Sequence, residues 1–465
     1  MNRGARGGLL RRNRDFRLLF TGEVAGRFGG ALTNLSLPLI AVGALHATAF
    51  EAALVVAAKW VPWLLIGLPA GAWVDRMRRR TIMLVSTAVS LVLYLTVPAA
   101  AALGHLTIGH LLAVAAAAGA AEVFFQTAYT AYLPTVVAEP DRAEGNAALH
   151  GSASAAQIVG LGSGGAAAQA FGPVNSLLAN TATFLLSLLS TAAIRTPEPA
   201  PDRDRRGDGT RGDLSDDLSN GLSDGLSDGL SDGLSGDRKP RPSLRREVSE
   251  GLRLITHDVW LRTFALHGAL ANMALMAYQS IQVVFLVEQA GLSDGAIGAV
   301  VGAAGAGGVL GAVVARRVGA AIGTARAMMI FLFWVPMLAL LIPLTTPGAG
   351  VACYVLGGFA VSAGIVAGNV LRATFQQRHV PARVLGRISA CGSFLNYGTI
   401  PLGALASGAT ASAVGVLPAM WLAAAAVPLS AAVLWLSPLP RLRDLPDSSA
   451  LAVAPTALTA DLNSR

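Results

Sequence analysis

Long apolar runs, separated by short polar segments, make up most of this chain and constrain its fold more than any other feature. A membrane-spanning helix needs about 20 consecutive apolar residues, and such runs recur along most of the 465 residues. With 53% hydrophobic and 13% charged residues, the chain is too apolar for a soluble protein of this length. The sequence therefore predicts an all-α membrane protein with twelve transmembrane helices, near residues 18–43, 52–73, 82–103, 107–131, 147–169, 174–194, 262–287, 294–315, 327–345, 350–371, 388–411 and 415–437.

A short polar break, GAWVDRMRRR at residues 71–80, separates the second and third of these runs. A glycine, an acid and an arginine cluster at this point predict a tight hairpin on the side of the membrane that retains positive charge. A weaker copy, GAVVARRVGA, occupies residues 311–320, and the pair Pro140 and Arg142 recurs at almost the same offset as Pro381 and Arg383. Two landmarks repeated at one spacing indicate a duplicated unit and therefore two pseudo-symmetric six-helix bundles.

Arginines are confined to alternate connections between the predicted helices. The connections near residues 46, 105, 172, 290, 348 and 413 contain no Arg or Lys, whereas the other set is rich in Arg. Because positive charge stays in the cytoplasm, both termini are predicted to be cytoplasmic. The first run is too long for a signal peptide, carries Glu23 and Arg27, and lacks a small-residue cleavage site, so we assign it to helix 1.

A polar segment between the two bundles contains a tandem LSDG repeat and has too few bulky apolar side chains to form a core, which predicts disorder. At its end, Leu244, Val248 and Leu252 recur every four residues and predict a short amphipathic helix on the membrane surface. The predicted boundaries are an N-terminal bundle at 1–196, a linker at 197–250, a C-terminal bundle at 251–440 and a disordered cytoplasmic tail at 441–465.

Three charged residues inside predicted helices are candidates for proton coupling. A charge at mid-membrane costs about 2.5–3.5 kcal/mol on insertion scales, so such residues are functional candidates by default. Glu23 and Arg27 share one face of helix 1, where they either act in transport or simply neutralise each other. Glu122 on helix 4 has no partner within its own helix. Since Arg27 and Glu122 lie at similar predicted depths, we expect them to pair in one conformational state; away from Arg27 the carboxylate would take up a proton, with Glu23 as reserve carrier.

Neutral polar residues continue these faces and are candidates for lining a substrate cavity. No acid lies at mid-membrane in the second half, so charge is concentrated in the first half, and neutral polar and apolar surface in the second. That distribution favours a lipophilic substrate, a cationic one included, over a sugar. The candidate cavity residues are Asn34, Gln126, Tyr129, Asn272, Gln279, Ser362 and Asn369.

Several other classes of protein are disfavoured. The net charge of +8 does not indicate nucleic-acid binding, because the arginines cluster at helix ends rather than along one face. An ATP-driven pump would need a phosphate loop ending in Gly-Lys-Ser/Thr, and neither Lys59 nor Lys239 lies in one. Cys353 and Cys391 lie inside apolar runs, and no His, Asp and Glu cluster at one membrane face, so we expect no enzyme activity, cofactor, metal site or disulfide.

The chain resembles the major facilitator superfamily, in particular its bacterial drug:proton antiporter branch, which includes enterobactin and macrolide exporters. It departs from the family pattern at Arg78, where Gly, Asp or Asn is usual, and at Leu161, where the helix 5 antiporter motif has proline. The resemblance rests on four stretches: NRDFRLLFTGE at 13–23, GAWVDRMRRR at 71–80, EGLRLITHDVWLR at 250–262 and VPARVLGRISACGSFLNYGTIPLGAL at 380–405.

The resemblance implies alternating access, in which two bundles rock around a cavity lined mainly by helices 1, 4, 7 and 10. It also implies a conformational-switch loop that locks the cytoplasmic face, here Gly71, Asp75, Arg76, Arg79 and Arg80. The implied function is proton-coupled efflux of a lipophilic drug, antibiotic, siderophore or other secondary metabolite. The expected protein is a monomer in the bacterial cytoplasmic membrane, with the bilayer, protons and one small substrate as partners. An uptake permease for a small organic solute, and a non-transporting receptor or lipid flippase, remain the alternatives.

Overall fold

The protein is all-helical over the part of the chain that its structure, a computed structural model, describes: residues 8–74, 76–196, 198, 253–380 and 382–446. These ranges contain twelve long helical segments, in the order predicted. The first six are α1 (Arg14–Leu39), α2 (Ala49–Val74), α3 (Arg79–Ala102), α4 (Ile108–Val136), α5 (Arg142–Phe171) and α6 (Ser176–Ala192). The second six are α7 (Val259–Ala290), α8 (Asp294–Gly305 with Gly307–Ile322), α9 (Thr324–Leu344), α10 (Val351–His379), α11 (Ala382–Gly398 with Ile400–Val414) and α12 (Val416–Ser430 with Ala432–Trp435).

Among the described residues, eight of these helices are long and apolar enough to cross a membrane, and α6 is a shorter apolar helix. The remaining three, α1, α5 and α11, are less apolar. The sequence of α1 includes Glu23 and Arg27, while α5 and α11 are rich in Gly, Ser and other small residues. These three can still be accommodated within a bundle, where neighbouring helices rather than lipid contact the polar side chains.

Several helices extend beyond the apolar runs from which they were predicted. Helix 4, predicted to end at residue 131, continues to Val136, and helix 10, predicted to end at residue 371, continues to His379. Backbone hydrogen bonding continues through polar turns, so a helix does not end where its apolar run ends. As a result, Arg372 lies inside α10.

The second copy of the hairpin motif does not form a hairpin. Residues 311–320 lie wholly within α8, which continues to Ile322, and the turn to α9 falls at Gly323. Gly323 has φ +98°, a conformation that favours glycine, and a β-carbon there would lie 2.2 Å from the Arg443 carbonyl oxygen. The earlier prediction of a loop at Arg316 and Arg317 is therefore wrong, because an arginine does not end a helix whereas a glycine in this conformation does.

The internal duplication has a structural counterpart at the start of each bundle. The Asn13 side chain accepts a hydrogen bond from the Phe16 amide (2.9 Å) and donates one to the Val136 carbonyl at the end of α4 (3.0 Å). In the second half, Asp258 accepts from the Leu261 amide (2.8 Å), and its other oxygen lies 3.0 Å from His379 Nε2 at the end of α10. In both halves, then, one capping side chain ties the first helix of the bundle to the fourth.

Among the described residues, the two bundles share a large hydrophobic cluster at one end and not at the other. At the end whose connections lack Arg and Lys, a single hydrophobic cluster contains residues of both bundles, such as Leu35, Val283 and Ala411. At the arginine-rich end each bundle has its own cluster, represented by Tyr132 in the first and Phe375 in the second. The space between the bundles is therefore closed at the arginine-free end.

Glycines allow the closest approach at that closed end. A β-carbon on Gly165 of α5 would lie 2.4 Å from the Gly298 Cα of α8. Nearby, the Gln169 side-chain oxygen accepts hydrogen bonds from the Ser293 hydroxyl (3.0 Å) and the Gly295 amide (2.9 Å). Of the glycines in the helix 5 motif, Gly165 thus serves the contact between the bundles, whereas Gly160 and Gly164 lie against α1 of the same bundle.

Most of the predicted linker and tail lie outside the described residues, including the LSDG repeat and the amphipathic helix predicted over 244–252. The C-terminal bundle extends beyond its predicted end at residue 440. The Asp444 carboxylate accepts a hydrogen bond from the Thr324 amide (2.9 Å), and the Leu445 amide donates to the Thr324 hydroxyl (2.8 Å). The chain is thus packed against the start of α9 as far as Leu445, which is buried.

Candidate functional site

Among the described residues, two ion pairs lie inside the N-terminal bundle, and the first joins Glu23 and Arg27. One turn apart on α1, Arg27 Nε lies 2.6 Å from Glu23 Oε1, and the Glu23 side chain is only 4% exposed. The Arg27 guanidinium also reaches α4, where Nη2 lies 3.4 Å from the Gln126 side-chain oxygen. The neutralisation within helix 1 that the sequence left open is therefore present, and it is linked to a second helix.

The second ion pair joins α2 to α4. Lys59 Nζ lies 3.3 Å from Glu122 Oε2 and 2.7 Å from the Asn34 side-chain oxygen. The Lys59 side chain is 10% exposed, whereas that of Glu122 is 42% exposed, so the carboxylate is the accessible partner. Lys59 was not among the predicted site residues. Its position inside the apolar run 52–73 was the same signal that singled out Glu122.

Both ion pairs line one cavity within the N-terminal bundle. Its walls include Glu23, Arg27, Lys59 and Glu122 together with Ser and Thr side chains of α3. In this conformation Arg27 is bonded to Glu23 and Gln126, while Glu122 is bonded to Lys59. A direct pair between Arg27 and Glu122 is not formed here, and it stays a prediction for another conformation.

A second cavity, of about 230 Å³, lies between the two bundles. Asn34 and Lys59 line it from the first bundle, and Gln279 and Ser362 from the second. Asn34 and Lys59 also line the first cavity, so they join the charged site to the interface between the bundles.

The remaining predicted cavity residues are divided. Asn272 and Asn369 line a separate cavity inside the C-terminal bundle, and the Asn272 amide donates to the Gly268 carbonyl (3.0 Å). Tyr129 lines none of these cavities: its ring is buried and stacked on Phe125, with centroids 6.1 Å apart. Tyr129 belongs instead to the hydrophobic cluster at the arginine-rich end of the first bundle, because it lies about one turn beyond the cavity along α4.

The predicted switch loop is bonded within the N-terminal bundle. The Arg80 guanidinium donates to the Thr191 (3.3 Å) and Ala192 (2.5 Å) carbonyls at the end of α6. The Glu198 carboxylate accepts from the backbone amides of Arg79 (2.6 Å) and Arg80 (3.3 Å) at the start of α3. Gly71 lies in the last turn of α2, Arg76 is exposed, and Asp75 lies outside the described residues.

Two pseudo-symmetric six-helix bundles, closed together at one end around charged and polar cavities, define a secondary transporter. A family model described as the Major Facilitator Superfamily matches residues 19–397, and the chain belongs to that family. None of the curated proteins compared with the chain matches it in sequence.

Solved structures of transporters share the fold. A mutant of the nucleoside transporter NupG superposes with a TM-score of 0.70 at 11% identity, covering 91% of this chain and 100% of its own. A bacterial homologue of the human lysosomal transporter Spinster, in an inward-facing, unoccupied conformation, gives 0.68 at 13% identity, covering 92% and 97%. A bacterial homologue of ferroportin in an inward-facing state gives 0.66 at 15% identity, covering 92% and 99%. These identities establish the shared architecture and not a shared substrate.

Proposed function

We propose that this protein is a proton-coupled exporter of lipophilic small molecules, of the drug:proton antiporter type that its motifs resemble. The observation that carries the proposal is the Lys59–Glu122 ion pair, whose partly exposed carboxylate faces a cavity inside the helical bundle. Placing an ionisable side chain at that depth in the membrane costs free energy, so such residues usually have a function. A carboxylate that is exposed to a cavity, and whose cationic partner can move away, is suited to carrying a proton.

The proposed cycle uses the partner of Glu122 as its switch. In the described conformation Lys59 Nζ lies 3.3 Å from Glu122 Oε2, and formation of this pair is the proposed step at which a proton carried by Glu122 is released. As the bundles rock, the Lys59 side chain, which also lines the cavity between the bundles, turns away from Glu122 within the N-terminal bundle. Without its cation, Glu122 takes up a proton from the opposite side, while substrate leaves. Arg27 on the same cavity is the alternative partner that would hold Glu122 ionised between these steps, and Glu23 remains the reserve carrier.

Two features are compatible with the proposed direction of transport. The bundles share no described hydrophobic cluster at the arginine-rich end, which the positive-inside rule assigns to the cytoplasm, so in this conformation a cytoplasmic substrate would have access, as it also would in an uptake permease. The inward-facing states named for the Spinster and ferroportin homologues are compatible with such an arrangement. The second feature is the motif resemblance to bacterial exporters, and the bacterial cytoplasmic membrane is the location proposed with it.

Accumulation of a lipophilic fluorescent dye and of a macrolide in intact cells tests the proposal. Cells producing the protein should accumulate less of at least one probe than cells producing Glu122→Gln at equal membrane abundance. A protonophore should abolish the difference. Higher accumulation in energised cells would assign the protein to uptake, and no difference for any probe would favour a receptor or lipid flippase.

A further inference from the structure

Arg372 lies between two cavities inside the C-terminal bundle. It is seven residues before the end of α10, or ~10 Å at 1.5 Å per residue, and it is half-buried. One cavity, of about 240 Å³, lies toward the start of α7, and the other, of about 250 Å³, lies toward the bundle centre. Each alone is slightly smaller than the usual small-molecule site of about 300–1,000 Å³.

Within the part of the chain that the structure describes, the guanidinium of Arg372 has no acidic partner, unlike Arg27 and Lys59. Arg27 lies 2.6 Å from Glu23, and Lys59 lies 3.3 Å from Glu122. Among the described residues no carboxylate lies within 4.0 Å of Arg372, and its hydrogen bond to the Phe264 carbonyl is long, at 3.5 Å. Counting described residues, the charges therefore cancel in the N-terminal cavity, whereas those lining the C-terminal cavities leave the positive charge of Arg372 without a carboxylate.

Further polar groups converge on the same point. A β-carbon on Gly268 of α7 would lie 2.7 Å from Arg372 Nη1 and 2.5 Å from Asn396 Oδ1, so only the absence of a side chain there leaves room for both groups. The Asn396 side-chain oxygen is buried and has no hydrogen-bond partner among the described residues. Ser393 lines both cavities as well.

His267 adds a further polar group to these surroundings. Its Nδ1 lies 3.2 Å from the Ser430 carbonyl, which only accepts, so Nδ1 donates this hydrogen bond. On the central side, Leu275, Leu332 and Ile365 form an apolar wall, and the polar side chains of Asn272, Asn369 and Tyr397 line the rest of that cavity.

We propose that Arg372, Asn396 and Ser393 bind the acidic group of an amphipathic organic anion, whose apolar part lies against Leu275 and Leu332. A planar guanidinium binds a carboxylate through two parallel hydrogen bonds, and an amide and a hydroxyl can supply further donors. This inference rests on the proposed transport function, because it names the chemical class of the substrate. The sequence favoured a lipophilic substrate, cations included; this site narrows that class to lipophilic acids, since Arg372 would repel a cation.

Binding of a matched acid and amide tests the site without a proton gradient. The full chain in nanodiscs of zwitterionic lipid is titrated with 4-phenylbutyrate and, separately, with its neutral amide at millimolar concentration, and the thermal midpoint of unfolding is recorded. The acid should raise the midpoint and the amide should not. Arg372→Gln should abolish the shift, and Arg372→Lys should retain part of it. Equal shifts for acid and amide, no shift for either, or a shift that persists in Arg372→Gln would overturn the proposal.

Two controls separate the remaining explanations. Without ligand, Arg372→Gln should leave the midpoint unchanged or raise it, because it removes an uncompensated charge, whereas Arg27→Gln should lower it by leaving Glu23 without its cation. A midpoint that rises with phosphatidylglycerol in the nanodisc, depends on Arg372, and does not respond to the soluble acid would replace the organic anion by a lipid headgroup. Since none of these readouts needs transport, failure here is distinguishable from failure of proton-coupled efflux.

Discussion

Gly119 of α4 lies directly against the backbone of Lys59 in α2: a β-carbon at position 119 would come 2.1 Å from the Lys59 carbonyl oxygen. Glu122 follows three residues later on the same face of α4. The glycine therefore brings the two helices close enough for Lys59 Nζ to reach the Glu122 carboxylate at 3.3 Å.

Gly119→Val should push α2 and α4 apart, because the added atoms cannot fit against a backbone carbonyl. We expect a loss of about 1–3 kcal/mol in stability, the usual cost of overpacking, with weaker proton-coupled efflux. Thermal unfolding in detergent measures the first effect. Gly151→Val on α5 is the matched control, since a β-carbon there meets nothing within 4 Å. Equal midpoints for the two variants would show that the close approach is not required.

Removing one member of the Lys59–Glu122 pair should cost more than removing both. Lys59→Met leaves the Glu122 carboxylate without its cation, whereas the double variant Lys59→Met with Glu122→Gln leaves no charge uncompensated. We expect the single variant to be less stable by about 1 kcal/mol or more, since interacting neighbours commonly couple by 0.5–3 kcal/mol. A double-mutant cycle of unfolding midpoints checks this, and strict additivity of the two changes would contradict it.

Glu122→Gln should abolish proton-driven export while leaving substrate binding and downhill exchange largely intact, because the amide keeps the size of the side chain and cannot carry the proton. Efflux from cells preloaded with dye, with and without an imposed pH gradient, separates the two activities. Glu23→Gln is the informative comparison. If it loses coupling and Glu122→Gln transports like the unchanged protein, the proton is carried on α1.

Gly165→Leu should prevent the two bundles from closing at the arginine-free end, because position 165 contacts the Gly298 backbone. Spin labels on cysteines replacing the exposed residues His105 and Thr346, with Cys353 and Cys391 replaced by serine, report the separation of the bundles at that end. The mean distance should increase in Gly165→Leu. Gly162→Leu on the same helix is the control, because a β-carbon there meets nothing within 4 Å; an equal increase in both would argue against a specific contact.

Deleting residues 210–235 should leave transport and membrane abundance unchanged. The segment contains the LSDG repeat and lies outside the described residues, so this prediction comes from the sequence alone. The remaining chain of about 20 residues, if flexible, still spans about 20–30 Å. Loss of efflux at normal abundance would give the repeat a role in transport.

The sequence by itself determined the fold class. In lipid, apolar runs about 20 residues long can form all of their backbone hydrogen bonds only as helices. It also indicated the duplication, and it singled out Glu23, Arg27 and Glu122, since a charge inside an apolar run is visible without any structure. The ends of the helices were harder to predict from the sequence. Hydropathy marks where contact with lipid stops, whereas α4 and α10 continue as long as their backbone hydrogen bonds do.

Only the tertiary structure decided which charges are partners. Glu122 and Lys59 are 63 positions apart, and their contact depends on the approach of α4 to α2 at Gly119, which no periodicity within one helix reveals. Likewise, only the structure shows that no described carboxylate lies beside Arg372. A sequence shows which residues carry charge, but the energy of a charge inside a membrane protein depends on distances between helices that only packing sets.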